Sequence, residues 1–253
     1  MKREAWERFT GAREHYRKET ARLSRKLRGL KSLQQQLADS RGVSYLVETP
    51  VVYNAALDDV NPDSDIRLIL VADNPGRREQ AAENRRYLVG PSGKIAEKFF
   101  KDNPSLKIDF RKNTIILNKT PIHTARTAEL RDLLRLEGQT LGSRALEAAL
   151  DESQRLMARL LLEFHEAFSY GNKALPVWIT GYSEMKKGGV FEVYTNELKA
   201  VYAKSVLKER LMLYRHFSMN QFTIDLKQQT LAGETTIKTL NRTGAAYRKR
   251  FLW

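Results

Sequence analysis

The sequence contains no cysteine among its 253 residues. This absence excludes a disulfide scaffold, a cysteine-ligated zinc site, an iron–sulfur cluster and a catalytic thiol. Long apolar runs are also missing, since the stretches at 156–164 and 176–180 are far shorter than the roughly 20 residues of a membrane-spanning helix. The first ten residues lack the apolar segment of a secretory signal. We therefore expect an intracellular protein without a membrane partner, in the cytoplasm and nucleoid, or in the nucleus if the source is a eukaryote.

Positive charge is abundant and unevenly distributed, with 44 Lys and Arg against 30 Asp and Glu and a net charge of +14. Residues 1–41 hold 12 basic and 5 acidic side chains, and residues 238–253 hold 5 basic and none acidic. The 196 residues between them are nearly balanced, with 27 basic and 25 acidic side chains. Basic ends of this kind are either solvated helices or arms that bind a polyanion.

The N-terminal segment has the pattern of a long, basic amphipathic helix. Residues 1–38 contain no proline, and their leucines recur at helical spacing, with glycine weakening the pattern near Gly11 and Gly29. We interpret 1–41 as a helical extension whose leucine stripe packs on the body of the chain or on a protein partner. Residues 42–253 would form the main domain, which ends in a basic helix. The leucines of the stripe are Leu23, Leu27, Leu30, Leu33 and Leu37.

Strand and helix patterns alternate through the main domain. Four short apolar runs, at 66–72, 113–118, 177–180 and 211–215, are typical of buried strands. Helical patterns lie between these strands, at 92–101, 129–136, 144–168 and 196–207. Strands separated by helices indicate parallel βαβ crossovers. The sequence therefore predicts an α/β fold, a three-layer α/β/α domain with a four-stranded, mainly parallel sheet.

Ligands of such sheets bind beyond the carboxyl ends of the strands. The segments that follow the four predicted strands offer asparagine, histidine and small residues, but only two carboxylates, Asp73 and Glu184. A magnesium-dependent nuclease needs two or more convergent carboxylates. We interpret Glu184 as a helix-start residue and expect Asp73 to face away from the site, so neither a metal nor another cofactor is predicted.

Four segments in chain order resemble motifs of the uracil-DNA glycosylase superfamily. Residues 72–76 (Ala-Asp-Asn-Pro-Gly) are similar to its Gly-x-Asp/Asn-Pro-Gly/Tyr turn, and residues 87–93 (Tyr-Leu-Val-Gly-Pro-Ser-Gly) to its Pro-Phe-Val-Gly-x-Ala-Gly segment. Residues 115–118 (Ile-Ile-Leu-Asn) resemble its Leu-Leu-Asn strand end, and residues 216–220 (His-Phe-Ser-Met-Asn) its His-Pro-Ser-x-x-Asn loop. Each motif alone is as well explained by an ordinary turn or cap. Together they resemble the cysteine-free branches, the mismatch-specific and single-strand-selective types.

The resemblance implies a monofunctional DNA repair enzyme. It would hydrolyse the N-glycosidic bond of uracil or a related damaged base, flipped out of single- or double-stranded DNA, and leave an abasic site. Asn74 would position the attacking water and His216 would donate a hydrogen bond to the departing base. The base itself would be contacted by Asn118, Leu88, Gly76 and Ala72. We expect a monomer.

The resemblance also implies a set of DNA contacts. Met219 and Phe222 are the candidates for an apolar wedge, although Phe222 could equally pack in the core. His123 is interpreted as a loop histidine that contacts phosphate or nothing, and the basic termini would add salt-sensitive affinity. The remaining candidates for contact with the DNA backbone are Ser92, Lys94, Ser218 and Asn220.

The sequence departs from the family pattern at three positions, and two of them, Leu88 and Phe217, favour an alternative. Leu88 replaces a stacking aromatic, Phe217 replaces the proline of the histidine loop, and Ala72 replaces a glycine. A pocket without base stacking and a less rigid histidine loop would suit a non-catalytic nucleic-acid-binding protein built on the same fold. Both readings remain open at the level of the sequence.

Overall fold

The computed structural model describes residues 1–43, 45–141, 144–171 and 174–253. Its centre is a four-stranded, all-parallel sheet with the strand order β2-β1-β3-β4. Both faces of the sheet are covered, so every residue of the first three strands is buried. All four predicted strands are confirmed to within two residues. The strands are β1 (Leu68–Ala72), β2 (Thr114–Asn118), β3 (Val177–Thr180) and β4 (Leu211–Tyr214).

Helices pack on the two faces of the sheet and complete the three layers. Alternating residues of β1 divide between two cores, with Ile69 and Val71 on one side and Leu68 and Leu70 on the other. None of the described helices is long and apolar enough to cross a membrane. The helices are α1 (Arg3–Lys26), α2 (Leu30–Ser40), α3 (Pro91–Asp102), α4 (Glu129–Leu141), α5 (Ala145–Ser169), α6 (Glu192–Tyr202), α7 (Gln221–Gln229) and α8 (Thr236–Phe251).

The helix predicted at 196–207 is the least accurate of the helical predictions. In the structure α6 begins four residues earlier and ends at Tyr202, and a separate 3-10 turn covers Val206–Arg210 before β4. The side chain of Ser205 accepts a hydrogen bond from the N–H of Leu207 and so caps that turn. The helical pattern of the sequence continues across this local break.

The N-terminal extension docks on the body of the chain. It is interrupted between α1 and α2, next to the predicted weak point at Gly29, whereas Gly11 lies inside α1. Phe9 of α1 packs against Phe164 and Phe168 of α5, with ring centroids 5.8 and 5.2 Å apart. The leucine stripe is buried in the same core as Ile69 and Val71 of β1. The apolar face of this segment is thus covered by its own chain.

Candidate functional site

A cleft of about 1410 Å³ opens at the carboxyl ends of the strands. It is formed where the loops after β1, β2, β3 and β4 converge with the first turn of α3. Most of the residues predicted as functional line this one cleft, although their segments lie far apart in the sequence. These residues are Ala72, Asn74, Gly76, Leu88, Ser92, His216, Ser218 and Met219.

Asn74 has a fixed orientation in the cleft. Its amide nitrogen donates to the hydroxyl of Thr124 at 2.9 Å and to the backbone carbonyls of Thr124 and Pro75 at 3.2 and 3.3 Å. The hydroxyl of Thr124 donates its own proton to the carbonyl of Arg126, so it can only accept from Asn74. Within the described part of the chain the amide oxygen of Asn74 has no donor. It remains available as an acceptor for a ligand or water.

His216 carries the complementary property, a free donor. Its Nδ1 accepts a hydrogen bond from the backbone N–H of Ser218 at 3.0 Å, so in the neutral ring the proton resides on Nε2. Burial lowers the pKa of His216, and the charge of Lys119 lowers it further, while that of Asp73 acts in the opposite direction. The ring is therefore neutral near pH 7. Its Nε2–H group has no acceptor among the described residues.

Asn118 lies beside the cleft rather than in its wall. It ends β2, where it is in register with Ala72 of β1, which does line the cleft. Only 1% of Asn118 is exposed, and neither atom of its side-chain amide has a hydrogen-bond partner among the residues that the structure describes. An unsatisfied buried amide is costly and uncommon in a native structure. The amide of Asn118 is therefore available to pair with a ligand that reaches the end of β2.

Asp73 and Lys119 form a buried ion pair at the base of the cleft. The ammonium of Lys119 donates to Asp73 Oδ1 and to the carbonyl of Thr180, so it joins the ends of β1, β2 and β3. Asp73 Oδ2 also accepts from Thr127 at 3.1 Å. The expectation that Asp73 faces away from the site is wrong, because its carboxylate lines the cleft and neutralises a lysine that is fully buried. Burial lowers the pKa of Lys119, and the carboxylate of Asp73 opposes that shift.

Glu79 is a cleft residue that the sequence analysis missed. Its Oε2 accepts the N–H of Gly76 at 2.8 Å, and it lies close to the backbone N–H groups of Leu88 and Gly90. Burial raises the pKa of Glu79 to about 7, even though these donors and the charge of Arg111 act to lower it. The one signal in the sequence is a glutamate three residues after Gly76 in an otherwise arginine-rich segment.

His123 supports the site from below and does not face solvent. It is fully buried, with Nδ1 donating to the carbonyl of Pro75 at 2.8 Å and Nε2 accepting from the hydroxyl of Tyr45 at 3.0 Å. Burial lowers the pKa of His123 to about 4, so the ring is neutral. The prediction of a phosphate-contacting histidine is therefore wrong. Gln34 of α2 donates to the His123 carbonyl at 2.7 Å, which links the N-terminal extension to this scaffold.

Met219 and Phe222, the two apolar candidates for a DNA wedge after β4, differ in exposure. Met219 is 83% exposed at the edge of the cleft, and both it and Asn220 have left-handed backbone conformations, with φ of 53° and 58°. Phe222 is 2% exposed and stacks on Phe217 at 4.3 Å between ring centroids. The prediction of Phe222 as part of a DNA wedge is wrong, because the ring fills the core beneath α7. Phe217, in place of the expected proline, occupies the same aromatic cluster.

The segment at 87–93 contributes to the cleft the buried residue Leu88 and the first turn of α3. Leu88 is 3% exposed and adopts a left-handed φ of 53°. Its carbonyl oxygen lies 1.4 Å from the position that a Cβ on Gly93 would occupy, so only glycine fits there. Ser92 lines the cleft and is half-buried. Lys94 is exposed on α3 outside the cleft lining, as is Asn220 in the histidine loop.

No protein-family model, curated protein or solved structure matches this chain. Among the described residues, no group of three or more His, Asp or Glu side chains is placed to hold a metal ion. Three neutral polar groups distinguish this region: an oriented acceptor at Asn74 and a free donor at His216 in the cleft, and an unsatisfied amide at Asn118 beside it.

Proposed function

We propose that this chain is a DNA glycosylase that hydrolyses the N-glycosidic bond of uracil or a related damaged base. The observation that carries the proposal is the pairing of an oriented acceptor and a free donor in one cleft. Asn74 presents its amide oxygen because its nitrogen is held by Thr124. His216 presents Nε2–H because its Nδ1 is held by Ser218. Base excision requires both functions and no metal ion.

Asn74 would hold the attacking water. The bond between the sugar and the base breaks through a transition state in which the sugar is positively charged, so a weakly nucleophilic, well-placed water suffices. An amide oxygen can accept a hydrogen bond from that water but cannot take its proton. After the C1′–O bond forms, the proton passes to solvent or to the departing base. Asn74 therefore contributes position, which accounts for the hydrogen bonds that orient it.

His216 would stabilise the departing base. The base leaves with the electron pair of the broken bond, and the negative charge is shared between N1 and the carbonyl oxygen O2 of the pyrimidine. A neutral imidazole that donates from Nε2 stabilises this oxygen without first binding a proton from solvent. The lowered pKa of His216 supports this role, since it keeps the ring neutral at physiological pH.

Asn118 would identify the base. Its amide offers one acceptor and two donors, which complement the N3–H and O4 of uracil, whereas cytosine presents the reverse pattern. Both amide atoms lack a hydrogen-bond partner within the described ranges of the chain. A bound base would therefore satisfy groups that are otherwise left unpaired, and a mismatched base would leave them unpaired.

One observation favours a second function, a nucleic-acid-binding protein without catalytic activity. Asn118 is 1% exposed and is not part of the cleft wall, and Leu88 supplies no aromatic face on which a base could stack. A base would then reach Asn118 only if the cleft floor opened. If it did not, the cleft would bind a strand without excising a base.

The two functions are separated by an excision assay. Oligonucleotides that carry a single uracil, hypoxanthine or xanthine are incubated with the protein in EDTA, and abasic sites are then cleaved with alkali. We expect cleavage with the wild-type protein and its loss in Asn74→Ala and His216→Ala. His15→Ala and Asn241→Ala are matched controls, because both residues are exposed on terminal helices remote from the cleft lining.

Each outcome supports one reading. Cleavage that disappears only in the two cleft variants supports the glycosylase. Binding of single- or double-stranded DNA without cleavage at any of the three bases supports the non-catalytic protein. Strand scission that requires added Mg²⁺ contradicts both functions.

A further inference from the structure

Three arginines at the rim of the cleft have no carboxylate partner within the described residues. Arg77 and Arg78 follow the turn after β1, Arg126 follows β2, and all three line the cleft and are exposed. The guanidinium of Arg77 lies 6.0 Å from the ring centroid of Tyr45, which also lines the cleft. Three other arginines of the flanking segments, Arg86, Arg111 and Arg131, instead pair with Asp59, Glu97 and Glu184.

The carboxylates that line the cleft do not compensate this positive charge. Asp73 is occupied by Lys119 and Thr127, and Glu79 by backbone N–H groups. Glu48 accepts the N–H of Ala82 at 2.7 Å. Glu48 and Glu83 are both exposed acids of the lining, so two carboxylates stand against three guanidinium groups that have no carboxylate partner among the described residues.

A larger share of the charge is paired in the basic N-terminal extension. Seven of its twelve arginines and lysines form ion pairs with carboxylates, either within α1 or on the body of the chain, and five form none with a described residue. Examples are the ion pairs of Arg22 and Lys26 with Glu152 and of Arg41 with Asp132. Charge that is already paired releases fewer counterions on binding a polyanion than free charge does. The total charge of a segment is thus a poor guide to its affinity for DNA.

We propose that Arg77, Arg78 and Arg126 are the phosphate-binding groups through which the cleft holds a DNA strand, in place of the basic N-terminal extension. The inference rests on the proposed function for the identity of the polyanion. Guanidinium groups suit this role because they bind phosphate oxygens in a bidentate manner. Their position at the rim places a strand across the mouth of the cleft, so that one nucleotide can reach Asn74 and His216.

The test compares two triple variants that remove equal charge. Arg77→Ala/Arg78→Ala/Arg126→Ala removes the rim, and Lys18→Ala/Arg25→Ala/Arg28→Ala removes exposed cations of the extension that form no ion pair with a described residue. Fluorescence anisotropy of an undamaged, labelled DNA duplex and of one of its strands gives the affinity at several salt concentrations. The slope of log affinity against log salt concentration reports how many phosphates are neutralised.

We expect the rim variant to lose about 2 to 3 units of this slope, at roughly 0.7 to 0.9 per phosphate contact. On the duplex this corresponds to about a 40-fold smaller loss of affinity between 50 and 200 mM salt, from the same relation. The extension variant should keep the wild-type slope. Arg77→Lys/Arg78→Lys/Arg126→Lys, which keeps the charge, should recover most of the slope, and circular dichroism checks that each variant is folded.

Several results would overturn the inference. They are an unchanged slope in the folded rim variant, loss of the slope in the extension variant, absence of DNA binding by the wild-type protein, and tighter binding of the matching RNA strand. The proposed function fails separately. If the rim variant loses the slope while the wild-type protein excises no base, the cleft binds DNA without being a glycosylase. If excision occurs while the slope follows the extension, the glycosylase stands and this inference does not.

Discussion

The hydroxyl of Thr124 accepts a hydrogen bond from the amide nitrogen of Asn74 at 2.9 Å and donates one to the carbonyl of Arg126 at 2.9 Å. A hydroxyl can donate only one hydrogen bond, and that of Thr124 is donated to the carbonyl of Arg126. Asn74 must therefore turn its nitrogen towards Thr124 and its oxygen away. The orientation of the proposed water-binding group thus depends on a residue 50 positions further along the chain.

Replacing Thr124 with valine should impair base excision without abolishing folding. Valine keeps the shape of the side chain but cannot accept the hydrogen bond, so the amide of Asn74 loses its preferred orientation. We expect kcat to fall by about 100-fold, the scale of a catalytic group misplaced by about 1 Å, with little change in KM. Thr124→Ser retains the hydroxyl and should keep most of the activity. Equal losses of activity in the valine and serine variants would contradict this role.

Two helical glycines should respond to alanine in opposite directions. In Gly93→Ala the new Cβ would meet the carbonyl of Leu88, so we expect a loss of at least about 2 kcal/mol in the free energy of unfolding. Gly138 of α4 has no atom within 4 Å of such a Cβ, so Gly138→Ala should add about 0.5 to 1 kcal/mol. Denaturant unfolding measures both. A neutral Gly93→Ala would show that the carbonyl of Leu88 can move aside.

Much of the fold was predictable because its signals are local. The strands are short apolar runs between turns. Because both faces of the sheet are buried, each strand is apolar at nearly every position instead of alternating between apolar and polar residues. The segments that hold Asn74 and His216 could be singled out because parallel strands bring their carboxyl ends to one edge, and the resemblance to glycosylase motifs then pointed to these two residues. One N-terminal helix was predicted, with weak points at Gly11 and Gly29; the structure breaks it next to Gly29 and not at Gly11.

The errors concern side chains whose surroundings come from distant segments. Met219 and Phe222 are both apolar residues shortly after β4, so the sequence does not distinguish them. Phe222 is buried because its ring packs against Phe217, Phe99 of α3 and Trp178 of β3. Glu79 stands among arginines, as an exposed residue would. Its burial results from backbone N–H groups at 76, 88 and 90 that meet only in the folded chain.

The raised pKa of Glu79 should make stability depend on pH in a defined window. Its pKa rises from an ordinary value of 4.5 to about 7 in the folded protein, so between these values the folded state holds a proton that the unfolded state has lost. The contribution of Glu79 to stability therefore falls as the pH rises from 4.5 to 7, by at most about 1.4 kcal/mol per pH unit. Above pH 7 it levels off.

Glu79→Gln removes this titration. The free energy of unfolding of the variant, minus that of the wild-type protein, should become more positive between pH 5 and pH 7. Glu83→Gln is the control, because Glu83 is an exposed acid on the same loop. Parallel pH profiles for Glu79→Gln and the wild-type protein would show that the buried carboxyl group titrates normally.

The ion pair of Asp73 and Lys119 should be strongly coupled. Lys119→Met leaves an unpaired carboxylate and Asp73→Asn an unpaired buried ammonium, so each should cost about 3 to 5 kcal/mol. The double variant should cost much less than the sum, because neither charge is then left unpaired. The exposed pair Lys98 and Asp102 on α3 is the control, with an expected coupling of about 0.5 kcal/mol or less. Additive losses for Asp73 and Lys119 would contradict the buried pair.

Met219 should matter for duplex DNA and much less for single strands. Its side chain is 83% exposed at the cleft edge, where it can enter the space left by a flipped nucleotide. Unstacking a base costs a few kcal/mol in a duplex and little in a single strand, so Met219→Ala should lower excision from duplex DNA by about 10-fold or more and leave single-stranded substrate nearly unaffected. Ile224→Ala, on the exposed part of α7, should change neither activity.

A glycine variant separates the wedge from a folding effect. Because Met219 has a left-handed backbone, Met219→Gly should relieve strain of about 1 kcal/mol. It should nevertheless show the same loss of excision on duplex DNA as Met219→Ala. Equal losses on both substrates would place Met219 in base binding instead of strand opening.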